Sequence, residues 1–569
     1  MDSKKIKARQ VCWLILLNLL AAGLSMPKEM PEKATQVLAA ARAALQNADY
    51  RGALNILGPA MNMLGSNPTA WRDLGVAHLK LRESAEAEHA FSKALTIEPK
   101  NANLLMFLGL TAAQAGHTEE AFEWLQKARA TRRVDMTQLE IEADAKILRE
   151  DPRYPALLPR PEDFAHPFVE SVNIIREWDG EAAGDQFGWI ARVIGDVDGD
   201  GVNDFVTSAP TKNVGGENAG RIYVYSGRTG ELLWKVDGAP GDQLGTGIEA
   251  AGDINKDGIP DVIGSAPSID TVYVYSGRDG RVLKTLHGEA KGDTFGAHVA
   301  SVGDVDGDGY SDIIVGAPGN NVGGKGAGRA YVYSGKDGHL LLTLTGTRAG
   351  DAFGSTVGGS SNAKHHLLLV GAPGAGTHKT GKVYVYRDLS QTPAFVFGAD
   401  PTGVALGYMF LAVLGDVDGD NFPDVFASDW SDGSKGPGTG KAYVYSGRTG
   451  RRLYTFTGET PGEGFGTTKS VAGDVTGDGR ADLIIGSWQY SREAQSAGRA
   501  YLYDGRSGRL LRTYTSRVPG DTFGFDAVGM GTRDGNGQSE LLITAGWSAV
   551  HGYHSGRIFL ISSGIPQAR

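Results

Sequence analysis

The sequence predicts a multidomain chain: an all-α stack of helical repeats followed by an all-β seven-bladed propeller. Three observations predict it. A helical pattern that recurs every ~34 residues occupies the region 30–150. A longer, glycine-rich pattern recurs seven times between 171 and 564, with landmarks at Phe187, Leu244, Phe295, Phe353, Leu406, Phe465 and Phe523. The composition changes between them, since nearly all of the 82 glycines lie beyond position 180. At 569 residues the chain exceeds what one core organises.

Residues 1–26 read as a secretory signal. Lys4, Lys5, Lys7 and Arg9 precede an apolar run from Val11 to Leu24, and small residues follow before Pro27. The run falls short of the ~20 residues that span a bilayer; the alternative is an uncleaved signal anchor. Export implies a secreted, periplasmic or cell-surface protein with no transmembrane anchor in its mature chain. The single cysteine, Cys12, lies inside this segment, so the mature chain has no thiol for disulfides, metal binding or nucleophilic catalysis. Loss of Lys4, Lys5, Lys7, Arg9 and Asp2 takes the formal charge from −10 to −13. An acidic chain without a basic stripe argues against a nucleic-acid partner.

In the helical region, spanning 30–150, the clearest copy runs from Pro68 to Pro99. Trp71, Leu74, Phe91 and Ala94 fill the seam, Gly75 and Ala87 permit close approach, and Pro99 ends the second helix. A shift of one period gives Leu108, Gly109, Ala121, Leu125 and Ala128; the opposite shift gives Ala41, Ala53, Leu57 and Ala60. This resembles the tetratricopeptide repeat. The resemblance implies a concave groove for a peptide or partner protein; the alternative is a spacer or cap. Pro152, Pro155, Pro159 and Pro161 mark a linker over 151–170.

Each later repeat opens on an acidic landmark such as Asp185-Gln186-Phe187-Gly188 or Asp293-Thr294-Phe295-Gly296, with Val404-Ala405-Leu406-Gly407 the weakest copy. A strand, an acidic loop and a second strand follow. The second strand ends in a small-small-Pro turn such as Gly316-Ala317-Pro318. Third and fourth strands, such as Arg329–Tyr333 and Leu340–Leu344, complete the unit. Four short strands per unit are the mark of a propeller blade. The region begins on a fourth-strand pattern, Asn173–Trp178, and ends on a third-strand pattern, Gly556–Ile561, so the first strand is expected to complete the last blade. The whole resembles the FG-GAP repeats of the integrin α-subunit propeller. That resemblance implies an adhesion or scaffold role with a protein or glycan ligand on the propeller.

Five of the seven acidic loops place oxygen ligands at positions 1, 3, 5 and 9 around a glycine or asparagine at position 6. They are Asp196, Asp198, Asp200, Asp204; Asp253, Asn255, Asp257, Asp261; Asp304, Asp306, Asp308, Asp312; Asp416, Asp418, Asp420, Asp424; and Asp474, Thr476, Asp478, Asp482. The position-7 carbonyls of Val202, Ile259, Tyr310, Phe422 and Arg480 are expected to join them. An oxygen-only, many-membered shell on a flexible loop suits Ca²⁺ better than Mg²⁺, giving about five sites. Asn421 is expected to adopt the left-handed backbone that glycine takes elsewhere. The fourth loop, Ser361 to His366, carries no carboxylate, and the seventh, Thr532 to Glu540 with Asp534 and Asn536, keeps some oxygen ligands.

No catalytic motif is identifiable: there is no G-x-S-x-G, phosphate-binding loop or H-E-x-x-H. The reading is therefore not an enzyme. The alternative is an enzyme or accessory whose propeller binds a polysaccharide or lipid. It would centre on Asp429, Trp430 and Asp432, with Trp488 and Trp547 as an aromatic platform; packing between blades is the plainer role for those tryptophans.

Overall fold

The computed structural model describes residues 32–360, 365–469, 471–532 and 538–567. The predicted signal with Cys12, the start of the fourth loop at Ser361, and Asp534 and Asn536 lie outside the described residues. The chain divides into two compact units: one runs to Pro167 and includes the loops 491–497 and 517–520, and the other holds the rest.

The first unit is built from three helical hairpins: α1 (Glu32–Gln46) with α2 (Tyr50–Leu64), α3 (Pro68–Lys80) with α4 (Ser84–Ile97), and α5 (Ala102–Gln114) with α6 (Thr118–Ala130). Their starts are encoded. The Asn67 side chain accepts the Ala70 N–H at 3.1 Å, with Pro68 in the first turn. One repeat later, Asn101 accepts the Asn103 N–H at 3.1 Å. The small residues serve contact. A Cβ on Gly75 would lie 2.6 Å from the Phe91 ring, and one on Gly109 2.6 Å from Leu125.

The prolines after position 150 do not produce an extended linker. Four short 3₁₀ helices, Met136–Glu140, Ala143–Leu148, Tyr154–Leu157 and Pro161–Asp163, follow α6. Leu139, Ala145, Leu148 and Leu157 are buried in the same apolar cluster as α5 and α6. Met136–Leu148 stands one repeat length after α5, so this stretch takes the place of a further repeat, built from 3₁₀ turns in place of α-helix. Lys80 pairs with Glu142 at 2.9 Å, and Gln114 donates to Asp144 at 2.9 Å.

In the second unit seven antiparallel sheets form seven blades. Blade one is typical: Ala191–Gly195, Asp204–Ala209, Arg221–Tyr225 and Leu232–Asp237, paired in sequence order. The first strands of adjacent blades pack on one another and so line the axis. Ile174–Asp179 pairs with Arg557–Ser562 and completes the seventh blade, as the phase of the repeat predicts. That closure leaves no free edge at the seam.

The core is divided among the seams between blades. Along the second strand of blade one, Phe205 is buried with Leu542 and Ile558 of blade seven, whereas Val206 is buried with Leu244 and Val262 of blade two. Alternate side chains face opposite neighbours, which is why this strand is buried on both faces. The repeat landmark locks the same seams. Gly328 (φ +82°) bridges Phe353 of the next blade, and a Cβ there would fall 2.1 Å from the Phe353 carbonyl oxygen. Gly220 with Leu244, Gly381 with Leu406, Gly498 with Phe523 and Gly556 with Phe187 repeat the contact.

Candidate metal centres in the propeller loops

Each acidic loop joins the first and second strands of its blade and is shaped by its own carboxylates. The sixth-position N–H donates to one oxygen of the first aspartate in all five loops. The pairs are Gly201 to Asp196 (2.9 Å), Gly258 to Asp253 (3.0 Å), Gly309 to Asp304 (2.9 Å), Asn421 to Asp416 (2.9 Å) and Gly479 to Asp474 (2.8 Å). That contact needs a left-handed residue, and Asn421 supplies it at φ +62° beside glycines at +81° to +87°. The seventh-position N–H of Val202, Ile259, Tyr310, Phe422 and Arg480 donates to the fifth-position carboxylate at 2.9–3.0 Å.

The ninth-position aspartates do more than the sequence suggests. Asp204, Asp261, Asp312 and Asp482 open the second strands, Asp424 immediately precedes its own, and all five are essentially unexposed. In blade one, Asp204 Oδ2 accepts from Val197 and Asp198, and Oδ1 from Gly227 after the third strand. Gly277, Gly335, Gly447 and Gly505 make the equivalent bond in the other four blades. Each such residue staples its loop to the third strand. Burial pushes these carboxyls upward against their N–H donors, Asp261 and Asp312 to about 6 and Asp424 to about 7.

Among the described residues, carboxylate oxygens converge within 4.8 Å in three loops: Asp196, Asp198 and Asp204; Asp304, Asp306 and Asp308; and Asp416, Asp418 and Asp424. Such groups could hold a metal ion. Asn255 and Thr476 replace the third-position acid in blades two and six. Blade three gives a direct indication of fit, because Asp304 Oδ1 is buried without a hydrogen-bond partner. A buried anionic oxygen left this way is costly unless a cation faces it. Elsewhere the first aspartate's Oδ1 takes backbone donors, as from Gly199 and Asp200 to Asp196.

Sequence reasoning missed the cations around these loops. The Arg of the recurring Gly-Arg turn after the third strand lies 3.4–3.9 Å from the fifth-position acid: Arg228 at Asp200, Arg278 at Asp257, Arg448 at Asp420 and Arg506 at Asp478. It also missed an axial cluster in which Arg192 contacts Asp526 and Glu249, and Lys469 contacts Glu249. The residues were visible, but only ring closure brings blades one, two, six and seven together.

The proposed catalytic acids have other work. Asp429 Oδ2 accepts from Val404 (2.7 Å) and Ala405 (3.1 Å), filling in where the landmark acid is missing. Asp432 accepts from Thr402 (2.7 Å) and Ser434 (2.8 Å) and lies 3.5 Å from Lys441. Both are fully buried, and burial raises the Asp429 carboxyl above the usual range. Trp488 and Trp547 are buried too, packed edge to face at 4.8 Å and 71° with Phe525 alongside, so they do not form an open platform.

The FG-GAP repeat model matches residues 187–225 and 295–333, and the FG-GAP-like repeat model matches 416–485. The tetratricopeptide repeat model matches 38–102 and 72–133. Among curated proteins, integrin alpha-4 of Xenopus laevis is 32% identical over 165 residues, 26% of this chain and 16% of the relative. Integrin alpha-6 of Gallus gallus is 31% identical over 166 residues, 27% of this chain and 15% of the relative. Integrin alpha-8 of Gallus gallus is 29% identical over 218 residues, 35% and 20%. The chain thus spans a fifth or less of the length of these relatives. Seven blades in a closed ring, seams locked between the landmark residue and the glycine before each neighbouring third strand, and a regularly repeating helical stack agree with these matches: the chain carries FG-GAP repeats folded as a seven-bladed β-propeller, with tetratricopeptide repeats on its N-terminal side.

Proposed function

We propose that the protein is an exported, calcium-binding adhesion or scaffold protein. Its propeller binds a protein or glycan, and its helical repeats bind a second partner. The observation that carries the calcium reading is the repeated oxygen loop, with the buried Asp304 Oδ1 facing no donor. The ligands are the carboxylates and the position-7 carbonyls named above, and the ion's role is to neutralise crowded acids and fix the loops. The binding role is supported by the relatives, which are named as integrin α-subunits. It is supported also by the engagement of Asp429 and Asp432 in backbone, hydroxyl and ion-pair contacts, which ties up the oxygens that acid–base work would need.

The test is affinity capture from a native envelope extract with residues 27–569 immobilised in calcium and again in chelator. A partner retained only in calcium supports recognition by the propeller, and one retained in both places it on the helical repeats. Failure to retain any partner under either condition overturns the adhesion reading.

A further inference from the structure

The seventh residue of the acidic loops in blades two, three, five and six does two things. Its backbone belongs to its own loop, while its side chain reaches the preceding blade. Ile259 of blade two packs in the apolar cluster that holds Val197 of blade one. Tyr310 of blade three lies under Lys256 of blade two, with Nζ 4.7 Å from the ring centre. Phe422 of blade five stacks on His365 of blade four at 4.1 Å. Four of the five residues, Val202, Ile259, Tyr310 and Phe422, are uncharged. The exception is Arg480 of blade six.

Arg480 reaches into the blade-five loop, where its Nη1 lies 2.9 Å from Asp416 Oδ2. That oxygen already accepts the Asn421 N–H at 2.9 Å. Among the described residues, the equivalent oxygens of Asp196, Asp253, Asp304 and Asp474 receive only the sixth-position N–H. Gly419 makes room for the guanidinium, since a Cβ there would lie 1.8 Å from Nη2. The blade-five loop is thus acidic at positions 1, 3, 5 and 9, and a permanent positive charge sits on its first ligand.

We propose that Arg480 is a built-in competitor for the cation at the blade-five loop, making this the weakest of the carboxylate-rich sites. The inference rests on the calcium reading above. The oxygen that would face the ion is Oδ1 of the first aspartate, as at Asp304, and a guanidinium held on Oδ2 of the same carboxylate repels a divalent ion strongly, so tight binding requires the arginine to swing out. The side chain is 30% exposed and has solvent to move into. The exchange gives up one surface ion pair, a modest cost, and leaves a like charge close to the ion until the arginine withdraws. Arg480 also carries the proposed position-7 carbonyl of blade six, so one residue serves two neighbouring sites with opposite effect.

The test is calorimetric titration of the full chain with calcium at fixed ionic strength, comparing wild type, Arg480→Ala and Arg480→Gln. Both variants should tighten one weak phase about tenfold, without changing the number of ions bound. Adding Asp416→Asn to Arg480→Ala should abolish that gain, assigning it to blade five. Calcium binding with unchanged affinities in both variants would overturn the proposal and leave the calcium reading standing. Weaker binding would overturn it too, showing that Arg480 supports the site. No binding heat in any of the proteins would remove the calcium reading and this inference together. Far-ultraviolet circular dichroism on each variant separates these results from misfolding.

Discussion

At the scale of single residues, His554 shows how burial becomes a dependence on pH. It lies between Trp547 (5.0 Å) and Tyr553 (3.6 Å) and is 8% exposed. Burial pushes its imidazole down to about 3, so the folded protein holds it neutral. In the unfolded chain the same group protonates near 6.5. Between those values the unfolded state binds the extra proton, so stability is complete above ~6.5 and is lost as pH falls. Denaturant unfolding of wild type should lose ~2 kcal/mol more between pH 7 and pH 5 than His554→Asn does. Asparagine suits the site, whose φ is +54°. Equal losses in the two proteins would mean that the imidazole titrates normally.

Much at this scale was legible beforehand. The aspartates of the five loops, the left-handed Asn421 and the seam-filling Phe91 follow from residue type and spacing alone. What was not legible depends on closure in three dimensions. The third-strand turn that Asp204 anchors, at Gly227, belongs to another part of the blade, and the backbone N–H groups that occupy Asp429 belong to the preceding landmark. A sequence shows which residues carry carboxylates, but not which are already bonded.

At the scale of the element, the turn before each third strand sets the distance between blades. Gly326 and Gly328 share one such turn, both left-handed at φ +62° and +82°, but their surroundings differ. A Cβ at Gly326 meets open space, whereas one at Gly328 strikes Phe353. Gly326→Ala should therefore cost only the backbone strain, ~1 kcal/mol. Gly328→Ala should cost ~3 kcal/mol or more, because the bridge to the next blade must open as well. Equal losses in thermal or denaturant unfolding would show that the seam yields without penalty. The stretch after α6 was less legible. Its prolines read as a linker, but buried apolar residues at Leu139, Leu148 and Leu157 let 3₁₀ turns finish the stack.

At the scale of the whole molecule, charge and calcium are coupled. The chain from Pro27 onward carries a formal charge of −13, with much of the acid in the loops of one ring. Five Ca²⁺ would bring that to about −3 and relieve repulsion in every bound loop. Each independent site held at ~100 times its dissociation constant adds ~2.7 kcal/mol of stability. Calcium should raise the unfolding temperature in a saturable way, chelator should reverse the rise, and sodium chloride of equal ionic strength should not reproduce it. A melting temperature indifferent to calcium would remove the ion from the account of the fold. The seven-bladed ring itself was legible from the count and phase of the repeats. The axial cluster of Arg192, Glu249, Lys469 and Asp526 was not, because its members come from opposite ends of the propeller sequence.

The strand that closes the ring has a mechanical meaning. Ile174–Asp179 runs antiparallel to Arg557–Ser562, with Ile174 opposite Ile561. The chain therefore enters and leaves the propeller at the same end of one ladder. Tension applied between those two points would not load the hydrogen bonds together, as it would in shear. It would strain the first pair, then the next, peeling the strand off in sequence at low force. A pull between two other blades meets a continuous ring, so the direction of load decides whether the propeller holds its shape or opens at its one seam.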